Sequence, residues 1–156
     1  MISKKDEQLM RLALAEAEEA GRMGEVPVGA VVVDGSGRIL STGRNMRESS
    51  QNPTDHAEII AIREASRALG SWRLEGTAIY VTLEPCMMCM GAIINARIER
   101  LVFGARDPKA GAVASVMNPA DYESLNHRVE WREGVLEEEC SSLLRGFFKM
   151  LRARDT

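Results

Sequence analysis

Residues 78–105 read AIYVTLEPCMMCMGAIINARIERLVFGA. Ala78 to Leu83 is an apolar, β-branched run of strand length, and Arg100 to Ala105 is a second one. Between them Pro85 opens a helix that the pattern carries to about Arg97. Strand, helix and strand in that order make a crossover unit, with parallel strands and the helix covering one face of the sheet. Toward the N-terminus, Leu9, Leu12, Ala13, Ala17 and Ala20 recur at helical spacing, and Gly21 stops them. Val28 to Val33 and Arg38 to Thr42 flank the turn Asp34-Gly35-Ser36-Gly37, a hairpin pattern. A second helix follows from about Thr54 to Leu69. Toward the C-terminus, residues 106–127 form a loop bearing Gly, Asp and Asn, with one helical turn near Ala120. Arg128 to Arg132 reads as a short strand and Leu136 to about Ala153 as a closing helix. The predicted fold is α/β, with three layers (α/β/α) around a central mixed sheet of about five strands, the first hairpin antiparallel and the remainder parallel. With 156 residues and no repeat or linker, 1–156 is expected to form a single domain.

At 45% hydrophobic content and with no long uncharged apolar run, the chain reads as soluble, with no membrane partner. Its start, Met1-Ile2-Ser3-Lys4-Lys5-Asp6-Glu7, leads into a charged amphipathic helix and lacks the apolar region of an export signal. Three cysteines, two of them close together, do not suggest a disulfide framework, and a cytoplasmic location is expected. A net charge of −3 gives no global footprint for nucleic acid. Any polyanion must therefore be met by local charge: Arg44, Arg47, Arg106 and Lys109, with Arg145, Lys149, Arg152 and Arg154 of the closing helix. Such residues usually form a solvated face; gathered around a cleft, they would hold phosphates.

Two short clusters carry the chemistry, His56-Ala57-Glu58 and Pro85-Cys86-Met87-Met88-Cys89. His56, Cys86 and Cys89 supply three zinc ligands and leave the fourth tetrahedral position to water, whereas a structural site is normally closed by four side chains. One Zn2+ per chain is expected, and water on such a metal loses a proton near neutrality. Glu58 is not needed as a ligand and is placed to take that proton and deliver it to a substrate. Each cluster follows a proline, Pro53 or Pro85, at a predicted helix start, where free N–H groups favour thiolates. Cys86 and Cys89, three apart, share a helical face. His56 and Glu58, two apart, would point about 200° from each other inside a regular helix. Their convergence requires a helix start at residues 54–56, with Thr54 or Asp55 as its cap. His-x-Glu followed by Pro-Cys-x-x-Cys is the signature of zinc-dependent nucleobase deaminases, and both halves stand in this chain. Alone, the Cys-x-x-Cys also reads as a redox pair or half of a structural zinc site. His127 or Cys140, the remaining His and Cys of the chain, could close such a site.

Several stretches resemble the bacterial tRNA-specific adenosine deaminases of the cytidine deaminase superfamily over nearly the whole chain. They are Glu25-Val26-Pro27-Val28-Gly29-Ala30, Asn45, Pro53-Thr54-Asp55-His56-Ala57-Glu58, Tyr80-Val81-Thr82-Leu83-Glu84-Pro85-Cys86, Val102-Phe103-Gly104-Ala105-Arg106-Asp107, Asn126-His127-Arg128-Val129 and Phe147-Phe148. The zinc motif alone implies only the superfamily; the stretches around Asn45, Asp107 and Phe147-Phe148 point to the tRNA enzymes. The resemblance implies a cytidine deaminase-like fold, a homodimer, and conversion of the wobble adenosine of a tRNA anticodon loop to inosine. In that chemistry C6 is attacked hydrolytically while Glu58 protonates N1 and then the departing amine. The resemblance also implies that Asn45 hydrogen-bonds the flipped nucleoside, that Val28 and Ala57 line its pocket, and that Asp107 contacts sugar groups. Lys109, Phe148 and Arg152 would meet neighbouring nucleotides. Asp55 departs from the family, which resembles this chain elsewhere in the motif but carries alanine there; the added carboxylate can cap the helix or repel a phosphate.

Read from the residues alone, Asn45 and Asp107 also suit turns, and Phe148 suits a core. The basic residues near Phe148, namely Lys109, Lys149, Arg152 and Arg154, are predicted to form one rim of the zinc cleft. Two other functions share the motif. A deaminase of free cytosine, guanine or a nucleotide would enclose a small molecule without such a rim. A non-catalytic, zinc-stabilised binding protein would close the metal and leave Glu58 dispensable.

Overall fold

Every residue of Gly29–Val33 is buried, because successive side chains point to opposite faces of a sheet that is covered on both. The computed structural model describes residues 2–155. Its elements in chain order are α1 (Lys4–Arg22), β1 (Gly29–Val33), β2 (Ile39–Arg44), α2 (Arg47–Ser50), α3 (Ala57–Leu69), β3 (Ala78–Leu83), α4 (Met87–Asn95), β4 (Arg100–Ala105), β5 (Glu130–Arg132) and α5 (Glu137–Arg154). Val31 and Val33 join Tyr80 and Val102 beneath α1 and α5, where Leu9, Met10, Ala13 and Cys140 meet them. Ala30 and Val32 join Ile79, Val81, Leu101 and Phe103 on the other face, against Ala61 of α3 and Met90 and Ile93 of α4. The period of two thus divides one sheet between two cores, and the expected α/β/α layering follows.

The strand order is β2-β1-β3-β4-β5. β3, β4 and β5 are parallel, and β1 runs against both of its neighbours. The antiparallel relation of the hairpin therefore extends one junction further, to β1 and β3. Gly43 lets α3 lie directly on β2: a Cβ there would run into the Ala57 carbonyl and stand 2.8 Å from the Ala61 amide. This close approach brings the start of α3 beside the end of β2, where Asn45 follows.

Element boundaries moved in physically legible ways. The second long helix begins at Ala57 and not at Thr54, and the third at Met87 and not at Pro85, ending at Asn95 where Arg97 takes a left-handed φ of 65°. The last strand begins at Glu130. The short α2 is absent from the predicted elements; its four residues carry little periodicity, and it exists because buried Glu25 accepts from the Glu48 amide at 3.0 Å and from the Ser49 amide and hydroxyl. Near Ala120 the expected turn is a 3-10 turn, Pro119–Asp121.

Candidate active site

Both chemical clusters stand where the chain enters a helix. His56 is the N-cap of α3 (φ −73°, ψ 156°) and Cys86 that of α4 (φ −76°, ψ 176°), and neither side chain caps its own helix. Extended backbone at these positions leaves both side chains free to meet in front of the two helix ends. His56 therefore lies outside the helix that carries Glu58, and the objection from helical spacing dissolves. The cap itself is a correction, because neither Thr54 nor Asp55 serves. Asp55 is held instead by the Ser50 hydroxyl at 2.8 Å and the Arg63 guanidinium at 3.2 Å, and Thr54 donates to Asn52. The carboxylate that precedes His56 is thus paired with a cation and does not face the cleft as a free charge.

His56 Nδ1 lies 3.6 Å from Cys86 Sγ and 3.6 Å from Cys89 Sγ, and all three ligand atoms fall within 4.8 Å of one another. Tetrahedral bonds of about 2.0–2.3 Å place ligand atoms about 3.3–3.8 Å apart, so an imidazole and two sulfurs at these distances fit a metal ion. Cys86, hydrogen-bonded first by Cys89 and then by His56, falls to about 4 despite its burial, so a thiolate is available at neutral pH. Among the described residues no fourth ligand joins them. His127 Nε2 sits 2.6 Å from the Ile98 carbonyl, and Cys140 is buried between α5 and Gly104 of β4. The closed four-ligand reading is overturned by these positions.

Glu58 is buried beside His56, Cys86 and Cys89. Burial pushes its carboxyl up to about 7, against its own backbone N–H and the neighbouring His56. A carboxyl in that range can both take and give a proton near neutrality. It opens on a cleft of about 210 Å3 whose wall includes Val28, Asn45, Arg47, Ala57, Cys86 and Asp107. Cys89 lies fully buried below. The cleft shares Val26, Leu83, Asp107 and Ala110 with a larger groove of about 880 Å3, which Lys109, Arg145, Phe148, Lys149 and Arg152 line.

Apart from buried Cys89, the predicted site residues all line the cleft or the groove that joins it. Asn45 donates to the Val26 carbonyl at 3.2 Å and accepts from the Arg47 amide at 3.1 Å, so it organises the turn and also faces the cleft. Asp107 does both as well, accepting from the Lys109 and Ala110 amides at 3.1 and 3.2 Å. Phe148 is 41% exposed and meets Phe147 edge-on, which corrects the core reading. Arg154 does not line the groove; two residues beyond Arg152, it points about 200° away on the helix. Arg145 pairs with Glu138 and Arg106 with Glu133, whereas among the described residues Lys109, Lys149 and Arg152 have no carboxylate partner.

Glu84 carries no role in the sequence reading. It is 2% exposed, and its carboxylate accepts from the amides of Asp107 (3.1 Å), Val113 (3.0 Å), Ala114 (2.8 Å) and Ser115 (3.0 Å) and from the Ser115 hydroxyl. The available signal was a carboxylate ending a buried strand, where it must find donors.

Comparison with known proteins agrees with this geometry. Residues 4–152 match the MafB19-like deaminase family. A tRNA-specific adenosine deaminase of Bacillus subtilis is 50% identical over 149 residues, covering 96% of this chain and 92% of the relative. A solved structure from a study of A-to-I editing by tRNA:A34 deaminases at the wobble position superposes with a TM-score of 0.84 at 45% identity, over 88% of this chain and 99% of that one. A guanine deaminase from Nitrosomonas europaea shares the fold, with a TM-score of 0.77 at 23% identity over 94% of this chain and 85% of that one.

Proposed function

The chain belongs to the tRNA-specific adenosine deaminases, within the MafB19-like deaminase family, and on that premise we propose that it converts adenosine to inosine at the wobble position of a tRNA anticodon, in the cytoplasm, as a homodimer with one Zn2+ per chain. The observation that carries this reading is continuity: the cleft holding Glu58 and the His/Cys group opens through Asp107 and Ala110 into a groove lined by an exposed aromatic and by Lys109, Lys149 and Arg152, which among the described residues have no carboxylate partner. A base entering the cleft leaves its neighbours' phosphates and rings in that groove, which a free base would not need.

His56, Cys86 and Cys89 would hold the zinc, which would supply the Lewis acidity that lets water act as a nucleophile near neutral pH. Glu58 takes the proton of the attacking water, passes it to N1 of adenine, and serves the departing amine, so that water is consumed and ammonia released. Val28 and Ala57 flank the base, Asn45 orients it and Asp107 meets its sugar. Lys109 and Arg152 hold phosphates and Phe148 stacks on a neighbouring base. Because an anticodon loop is already open, extrusion of its base costs less than the few kcal/mol a duplex demands.

The purified protein is expected to form inosine on a tRNA or an anticodon stem-loop with wobble adenosine, and to leave free adenosine, cytidine and guanine untouched. Turnover of a free base with none on tRNA overturns the substrate. Metal analysis checks the zinc and sedimentation the dimer.

A further inference from the structure

Segment 107–115 has no helix or strand, so the amide groups it buries must find acceptors outside regular structure. Four of the segment's amides find one carboxylate. Glu84 Oε2 takes the amides of Val113, Ala114 and Ser115, while Oε1 takes the Asp107 amide and the Ser115 hydroxyl. The segment closes on it tightly: a Cβ at Gly111 would collide with the Glu84 carboxylate, and the Ala112 amide donates to the Pro85 carbonyl at 2.8 Å. Both ends of this clasp matter to the site. Glu84 and Pro85 lead straight into the ligand Cys86, and the gathered segment presents Asp107 and Ala110, the wall common to cleft and groove, with Lys109 beside them.

We infer that Glu84 is a positioning residue for substrate: its buried carboxylate holds segment 107–115 against the ligand turn, so that Asp107 and Lys109 keep a set distance from Glu58 and the His/Cys group. This rests on the reading of the cleft as a nucleoside site. Glu84 touches no reacting atom and acts through the residues it gathers. Glu58 stands on α3 and His56 at its N-cap, both outside the clasp, so loosening it costs substrate binding more than the chemical step. A loss of uniform binding raises KM and leaves kcat alone, whereas a simple loss of folded protein lowers kcat and leaves KM alone.

Glu84→Gln keeps the shape but turns amide hydrogens toward backbone N–H donors that need an acceptor. With the full chain and an anticodon stem-loop bearing wobble adenosine, the variant is expected to raise KM about tenfold, the equivalent of one good contact, with kcat and metal content essentially unchanged. Amide hydrogen exchange at Asp107, Val113, Ala114 and Ser115 should accelerate in the same variant. Ser115→Ala, which removes one donor and leaves the carboxylate in place, should shift KM and exchange in the same direction by less. A fall in kcat at unchanged KM, a loss of metal, or unaltered exchange in both variants overturns the inference. If the wild-type protein fails to deaminate the stem-loop, the nucleoside-site reading falls, and exchange together with direct stem-loop binding by Glu84→Gln then decides the clasp by itself.

Discussion

α3 and α4 begin in the same way and are reached by different routes. Each has a metal-ligand candidate at an extended N-cap whose side chain leaves the helix uncapped. α4 is entered directly from β3 through Glu84-Pro85, so a covered strand aims its start. α3 is entered from α2 through Gln51, at a left-handed φ of 54°, and a polar turn tied together by Ser50, Asn52 and Asp55. One start is placed by the sheet. The other is placed by local polar contacts and by the contact of Gly43 with Ala57.

If the two starts contribute equally to the metal, breaking either should be equally severe. Cys86→Ala and His56→Ala are each expected to lose metal and activity together, because two remaining ligands do not hold the ion. Metal-to-protein ratio and inosine formation, measured on both, check this; a variant at one start that keeps stoichiometric metal breaks the equivalence. Glu58→Gln separates chemistry from metal binding on the α3 side. It should retain the metal and the fold yet lose at least about 10²-fold in rate, the usual effect of removing an acid–base group. Activity near wild type would return Glu58 to a structural role.

The contact that aims α3 can be broken by itself. Gly43→Ala drives a methyl group into the Ala57 carbonyl, a form of overpacking that typically costs about 1–3 kcal/mol. Denaturant unfolding should register that loss, with weaker metal retention because His56 is the next residue upstream of Ala57. A neutral Gly43→Ala would mean that α3 is placed from its polar side alone.

The same difference explains what the sequence revealed. The unit from Ala78 to Ala105 was readable because its strands bury both faces, which leaves continuous apolar runs bounded by Pro85 and Arg97. The three ligands and Glu58 were readable because metal chemistry demands those residue types at close spacing. The start of α3 was misplaced, since Thr54 and Asp55 are good caps by type and only tertiary partners, Ser50 and Arg63, reveal that Asp55 is otherwise engaged. α2 and the role of Glu84 were illegible for a related reason. Each depends on a carboxylate receiving amides more than 20 residues away, as with Glu25 and Glu48 or Glu84 and Val113, and no local period records such a pairing. For Phe148 the residues alone left core and base-stacking readings open, because a phenylalanine on an amphipathic helix suits a core, and only the groove beside it shows the exposed side.

The smallest expected effect lies in the polar turn. Asp55→Ala removes an acceptor for the Ser50 hydroxyl and for Arg63, whose side chain is 43% exposed. A half-exposed ion pair contributes about 0.2–1 kcal/mol, and a single hydrogen bond about 0.5–1.5 kcal/mol net. The Met46 amide donates to the backbone carbonyl of Asp55 at 3.0 Å, and that bond survives truncation of the side chain. A stability loss of about 1 kcal/mol is therefore expected, with metal stoichiometry unchanged, because the carboxylate touches neither His56 nor the cysteines. Titration of the apo variant with zinc is the sharper measurement. Unaltered affinity means that β2 and Gly43 suffice to place the histidine, whereas a tenfold or greater weakening, the scale seen for partners that orient metal ligands, would make the polar turn part of the metal site and bring the two helix starts closer in kind.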